Sequence, residues 1–162
     1  MDRGMMTLDQ RQYRDAMGCF PTGVTVVTTL TARGPLGITA NSFTSVSLDP
    51  PLVLWSPARQ SSRFPAFEAA SHFAIHILAA DQRSLADRFA RYGEDFAGLT
   101  HRPGLGDTPL LEGCAARLEC AHSAGHDGGD HLIVVGEVQR LTHSNKPPLL
   151  FHRGGYTHLA QS

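Results

Sequence analysis

The stretch Val24 to Leu30 reads VTVVTTL, and after the turn Arg33-Gly34-Pro35 a second extended run, Leu36 to Ala40, leads back. β-Branched residues are stiff at χ1 and favour the pleated backbone, so this segment predicts an antiparallel hairpin. The pattern recurs. Leu52 to Ser56 reads as another strand, and His72 to Leu78 places Phe73, Ile75 and Ile77 on one face. Ala115 to Ala121, His131 to Leu141, Leu149 to Phe151 and Tyr156 to Leu159 continue it.

Helical signals are sparse. Thr7 and Gln10 fit a capping box, followed by Tyr13, Ala16, Met17 and Phe20 at helical spacing. Ser61 or Ser62 can cap a short helix through Phe67, and Asp81 a further one in which Leu85 and Phe89 lie four apart. Tyr92 to Leu111 reads as a long loop, and His122 to Asp130 as a Gly-rich connection. About seven or eight strands and three helices, without strict strand–helix alternation, predict a mainly β fold: a closed antiparallel, Greek-key-like barrel with flanking helices.

A length of 162 residues suits one domain over 1–162. With 41% hydrophobic and 18% charged residues the composition is that of a globular protein, and a net charge of -1 gives no reason to expect nucleic acid as a partner. No apolar run approaches membrane-spanning length, and Met1-Asp2-Arg3-Gly4 lacks the start of a signal peptide. Cys19, Cys114 and Cys120 are odd in number and form no CxxC pair, which fits a reduced, cytoplasmic protein.

Dinucleotide-binding GxGxxG, the P-loop, HExxH and GxSxG are all absent. His122, His126 and His131 are close in sequence, but loop histidines usually occur without metal, and none is expected here. Two other stretches look like ligand sites. Ala58 to Arg63 combines Arg59, Ser61 and Ser62 at a helix start, which makes either an anion cradle or a capped, solvated turn. Gly125 to His131 joins glycines, Asp130 and His131, which makes either a ligand-approaching loop or a flexible hairpin.

The stretch ITANSFTSVSLDPPL, Ile38 to Leu52, holds three serines and two threonines and a single charge. Together with Phe20-Pro21-Thr22-Gly23-Val24-Thr25-Val26-Val27-Thr28, Leu85-Ala86 with Phe89-Ala90, Gly129-Asp130-His131 and Gly136-Glu137-Val138, it resembles the short-chain flavin reductases, the reductase components of two-component flavin-dependent monooxygenases. The resemblance runs from about Tyr13 to Leu159 and ends with Pro148-Leu149-Leu150 and Gly155-Tyr156.

It implies an FMN-binding split β-barrel, a homodimer, and hydride transfer from NADH or NADPH to FMN or FAD, with reduced flavin passed to a monooxygenase. It further implies that Thr39, Ala40, Asn41, Ser42, Thr44 and Ser45 line the flavin ring. Ser56, Arg59, Ser61 and Ser62 would hold the ribityl chain and phosphate, and Phe89 would pack on the flavin or in the core, or both. His131 would act at the nicotinamide, oriented by Asp130, and Tyr156 would close that pocket or serve as a strand aromatic. Trp55-Ser56 and the added His126-Asp127-Gly128 depart from the family pattern. Two further readings stay open: a split-barrel flavoprotein that reduces another substrate with tightly bound FMN, and a non-enzymatic flavin-binding protein.

Overall fold

A computed structural model describes residues 7–160. Helix α1 (Gln10–Gly18) is capped by Asp9, whose carboxylate accepts from the Arg11 amide at 3.0 Å. The cap predicted at Thr7 therefore lies two residues downstream, at Asp9. A carboxylate beside the free amides of a first turn also complements the helix dipole, which a threonine hydroxyl does not.

Strands β1 (Thr22–Gly23), β2 (Thr25–Thr31), β3 (Gly34–Ala40), β4 (Thr44–Ser47) and β5 (Leu52–Trp55) precede helix α2 (Phe64–Ala69). Strand β6 (His72–Ile77), helix α3 (Arg83–Arg91), the short strands β7 (His101–Pro103) and β8 (Pro109–Leu111), the long pair β9 (Ala116–Gly128) and β10 (His131–His143), and β11 (Leu149–His152) with β12 (Gly155–His158) complete the chain.

Seven strands form one antiparallel sheet in the order β3-β2-β6-β9-β10-β5-β4, and β1-β11-β12 form a second. The mainly β expectation holds. The ladder is not closed, because no pairing joins β4 back to β3 among the described residues.

Of the predicted connection over 122–130, residues 122–128 are strand. Across the hairpin Leu132 faces Asp127 and Ile133 faces His126. The apolar partner strand supplies a full ladder to a Gly-rich segment that would not extend alone. Gly129 (φ 73°) makes the turn, a conformation glycine adopts without strain. The predicted loop over 92–111 likewise contains the β7–β8 pair. The two serine and aspartate caps also differ. Ser61 Oγ accepts from the Arg63 amide one turn before α2, and Asp81 lies in a single 3-10 turn, Ala80–Gln82, ahead of α3.

Strand β2 is buried on both faces. Val27 belongs to one core cluster with Trp55, Phe67, Phe73 and Val134; Val26 belongs to another with Leu78, Phe89, Phe96 and Leu149. Its threonines survive burial because each hydroxyl donates to a carbonyl: Thr25 to Ala40 (2.7 Å), Thr28 to Pro109 (2.6 Å) and Thr29 to His72 (2.9 Å). His76, also fully buried, accepts from the Leu111 amide at Nε2 (2.9 Å). Its proton is therefore on Nδ1, which donates to Val26 O at 2.9 Å. One imidazole thus ties β6, β2 and β8 together.

Candidate active site

The Ser/Thr-rich stretch crosses between the two edges of the sheet. Asn41, Ser42 and Phe43 leave the end of β3 and enter β4, and none of their three N–H groups finds a backbone acceptor among the described residues. Ser42 accepts from the Ser56 amide at Oγ (2.9 Å), which fixes the crossing to the end of β5. Asn41, Thr44 and Ser45 are exposed, and Ser42 and Ser56 are half-buried. The result is a rim of neutral donors and acceptors held on a rigid strand end. Such a rim matches the polar edge of an isoalloxazine ring, which carries carbonyls and ring nitrogens and no full charge, so these residues fit a flavin.

Two of the predicted rim residues have a polar group engaged within the protein. Thr39 donates its hydroxyl to Ala86 O of α3 at 2.7 Å, and Ala40 gives its carbonyl to Thr25. Their remaining surface, with Val24, Asn41, Phe151 and Tyr156, lines a cleft of ≈ 130 Å³. Tyr156 packs edge-on against Phe151 and lies under the Arg83 guanidinium, 5.4 Å from the ring centroid. Partial burial, followed by the charge of Asp87, raises its phenol above the ordinary range. Phe89 is fully buried against Phe96 (4.9 Å between centroids) and against Gly37, so its ring meets protein on the sides described.

The two ligand-like stretches of the sequence come together in space. Strand β10 pairs with β5, with Val134 opposite Trp55, and beyond that register Ala58 bridges His131. Leu132 donates its amide to Pro57 O at 3.1 Å, and Arg59 its amide to Asp130 O at 2.9 Å. The Arg59 guanidinium donates to Asp127 Oδ1 (2.7 Å) and to Gly129 O (3.2 Å). His131 Nδ1 lies 2.7 Å from Asp130 Oδ1. That hydrogen bond, helped by charge attraction, lowers the Asp130 carboxyl below its usual range, so the carboxylate stays available to orient the ring. Because Nδ1 faces Asp130, Nε2 is the nitrogen left to meet a ligand.

Ser61 spends its hydroxyl on the Arg63 amide, whereas exposed Ser62 lines a larger groove of ≈ 890 Å³ with Arg33, Arg63 and Arg91. Arg63 donates to Gly37 O and to Phe89 O, and burial lowers its pKa. Among the described residues no group of three His, Cys, Asp or Glu is placed to hold a metal ion.

Asp127 is the residue that motif reasoning did not place in the site. It is 68 positions from its partner Arg59, and only the β5–β10 register brings the two together.

Residues 17–160 match the family described as flavin reductase like domain. The chain is 54% identical to the FMN reductase (NADH) SmoA of Agrobacterium fabrum, over 91% of this chain and 85% of that protein. It is 41% identical to the reductase subunit HsaB of a flavin-dependent monooxygenase of Mycobacterium tuberculosis, over 93% and 82% of the two chains. Among solved structures it superposes on the NADH:FAD oxidoreductase SgcE6 of Streptomyces globisporus, in complex with NAD and FAD fragments, with a TM-score of 0.88 and 41% identity over 94% of this chain and 93% of that one. By sequence and by fold, the chain belongs to the flavin reductase like family.

Proposed function

We propose that the chain is an NAD(P)H-dependent flavin reductase that supplies reduced FMN or FAD to a partner flavin-dependent monooxygenase. The observation that carries this reading is the pairing of the Ser42–Ser56 rim with an Asp130-oriented His131 at the adjoining hairpin end. Bound flavin would supply the chemistry, taking a hydride from the dihydronicotinamide at its N5.

The chain's own residues position. The amides of 41–43 and the side chains of Asn41, Thr44, Ser45 and Ser56 hold the ring edge, and Ser42 keeps that edge fixed to β5. Ser62, and Ser61 through its backbone, stand beside the ribityl and phosphate side. His131 Nε2 meets the nicotinamide carboxamide, held in direction by Asp130. Tyr156, with Thr39 and Ala40 behind it, bounds the small cleft next to Asn41. No strong acid or base is needed, because hydride transfer between two rings depends on distance and orientation.

In this reading residues 1–162 form a single flavin-binding unit whose open sheet is the family's split barrel. It acts as a homodimer. Tyr13, Met17 and Phe20 on and after α1 are 53%, 54% and 75% exposed, and Val46 and Leu48 at the β4 edge 50% and 94%, so a second copy has apolar surface to cover. Its setting is the cytoplasm, in keeping with three free cysteines. No helix among the described residues is long and apolar enough to cross a membrane.

The test is oxidation of NADH and of NADPH by the purified protein with FMN, FAD or riboflavin added in turn. Turnover that rises with added flavin supports the reading. Bound flavin without oxidation of either nucleotide refutes it and favours a flavin carrier. A His131→Ala variant should lose nicotinamide affinity and keep flavin affinity; unchanged kinetics would remove His131 from the site.

A further inference from the structure

Arg59 has the residue type of a phosphate ligand, but its surroundings say otherwise. The guanidinium is held on three sides. Nη2 donates to Asp127 Oδ1 at 2.7 Å, Nε donates to Gly129 O at 3.2 Å, and the plane lies 5.7 Å from the Phe64 ring centroid. The backbone of the same residue donates to Asp130 O at 2.9 Å, and its neighbour Ala58 bridges His131. Every one of these polar contacts goes to the turn 127–131. A phosphate bound at Arg59 would have to displace Asp127 or lie against its carboxylate, and like charges at that range repel.

We infer that Arg59 is a positioning residue for the nicotinamide end of the site: together with Asp127 it clamps the β9–β10 turn, and so sets where His131 presents its free nitrogen. The clamp is directional. An arginine fork can bond a carboxylate and a carbonyl at once, and a lysine, with a single charged nitrogen, cannot reproduce both directions. The adjacent Asp130–His131 bond fixes only the ring's rotation relative to its own backbone. The clamp fixes that backbone relative to β5, and hence relative to the Ser42–Ser56 rim.

The inference rests on the flavin reductase reading with His131 at the nicotinamide. The test uses the full-length protein and the variants Arg59→Gln, Asp127→Asn, the double variant and Arg59→Lys. Four quantities are measured: KM for NADH and kcat at saturating FMN, the Kd for FMN by quenching of its fluorescence without nucleotide, and the His131 ring signal by NMR. Arg59→Gln and Asp127→Asn should each raise KM for NADH by up to roughly 5-fold, the upper end of what a largely exposed ion pair contributes, with kcat and the Kd for FMN within about 2-fold of the parent.

The double variant should be no worse than either single one, because both remove the same clamp. Arg59→Lys should recover part of the loss, and the His131 signal should shift in Arg59→Gln and in Asp127→Asn alike. The opposite pattern overturns the inference: FMN affinity about 10-fold weaker in Arg59→Gln and unchanged or tighter in Asp127→Asn, as expected of a phosphate ligand freed from its carboxylate. Unchanged KM for NADH in both single variants also overturns it. If the parent protein oxidises neither nucleotide with any flavin, the functional reading fails instead, and the His131 signal alone decides the clamp: no shift in Arg59→Gln refutes it.

Discussion

Acidification should destabilise this protein through His76. Its imidazole is fully buried, donates from Nδ1 to Val26 O and accepts from the Leu111 amide at Nε2. Protonation would put a second N–H against the Leu111 N–H and leave a charge in the core. Burial is the main reason that its pKa falls from 6.5 to about 4, with the Val26 hydrogen bond opposing and the charge of Arg117 adding to the fall.

The sign follows from linkage. Between pH 6.5 and 4 the unfolded chain binds a proton that the folded chain does not, so stability rises with pH across that window. The contribution is complete above pH 6.5 and is lost as pH falls toward the folded value. At about 1.4 kcal/mol per pH unit the full effect is about 3 kcal/mol, with about 2 kcal/mol already gone at pH 5. Against a typical total of about 5–15 kcal/mol this is a large share.

Urea unfolding at pH 7, 6, 5 and 4.5 measures it, with His76→Gln as the non-titrating reference. At pH 7 the variant should be the less stable protein, since glutamine cannot reach both partners in the same geometry. The gap should shrink by about 2 kcal/mol on going to pH 5. A gap that stays constant from pH 7 to 4.5 would show that His76 does not titrate differently in the two states, and the argument would fail.

Three further outcomes are expected. Gly37→Ala should destabilise the fold by about 1–3 kcal/mol, because a Cβ there would lie 2.7 Å from two Phe89 ring carbons; an unchanged urea midpoint would show that the ring has room to yield. Ser42→Ala removes the acceptor of the Ser56 amide and should weaken FMN binding several-fold while costing about 1 kcal/mol of stability, and an unaltered Kd in a fluorescence titration would take the rim out of the site. In the native protein a maleimide should label exposed Cys19 and spare Cys120, whose thiol burial and the nearby Glu119 push up to about 12; equal labelling of the two by mass spectrometry would contradict that burial.

The parts legible in the sequence were those whose determinants lie close together in the chain. The β-branched run of β2 and the Asp130–His131 pair depend on neighbouring residues, and both were readable. Motif resemblance reached further and grouped Asn41 with Ser42, but it assigned Ser56 to the ribityl and phosphate side, and only the structure joins Ser56 to Ser42; nor did it foresee that the Thr39 hydroxyl turns to α3. What escaped depends on distant partners. The threonines of β2 tolerate burial because of carbonyls at positions 40, 72 and 109. The glycines over 125–129 form strand and turn because β10 holds them, and no local propensity could announce that. Arg59 resembled an anion ligand until the register of β5 and β10 put Asp127 beside it.

The gap between β3 and β4 bears on how such a protein could release what it has bound. The chain crosses that seam in three residues whose amides belong to no ladder. Had the strands zipped shut there, a planar ring could dock only by breaking sheet hydrogen bonds, and its departure would wait for them to re-form. With the seam left open, recognition is separated from the integrity of the sheet. If the flavin seats there as proposed, its arrival would exchange water for ligand at those amides and its departure would reverse the exchange, with every strand pairing unchanged. An enzyme that hands on reduced flavin would need a directional seat and an exit that leaves the sheet intact, and the open seam between β3 and β4 is suited to both.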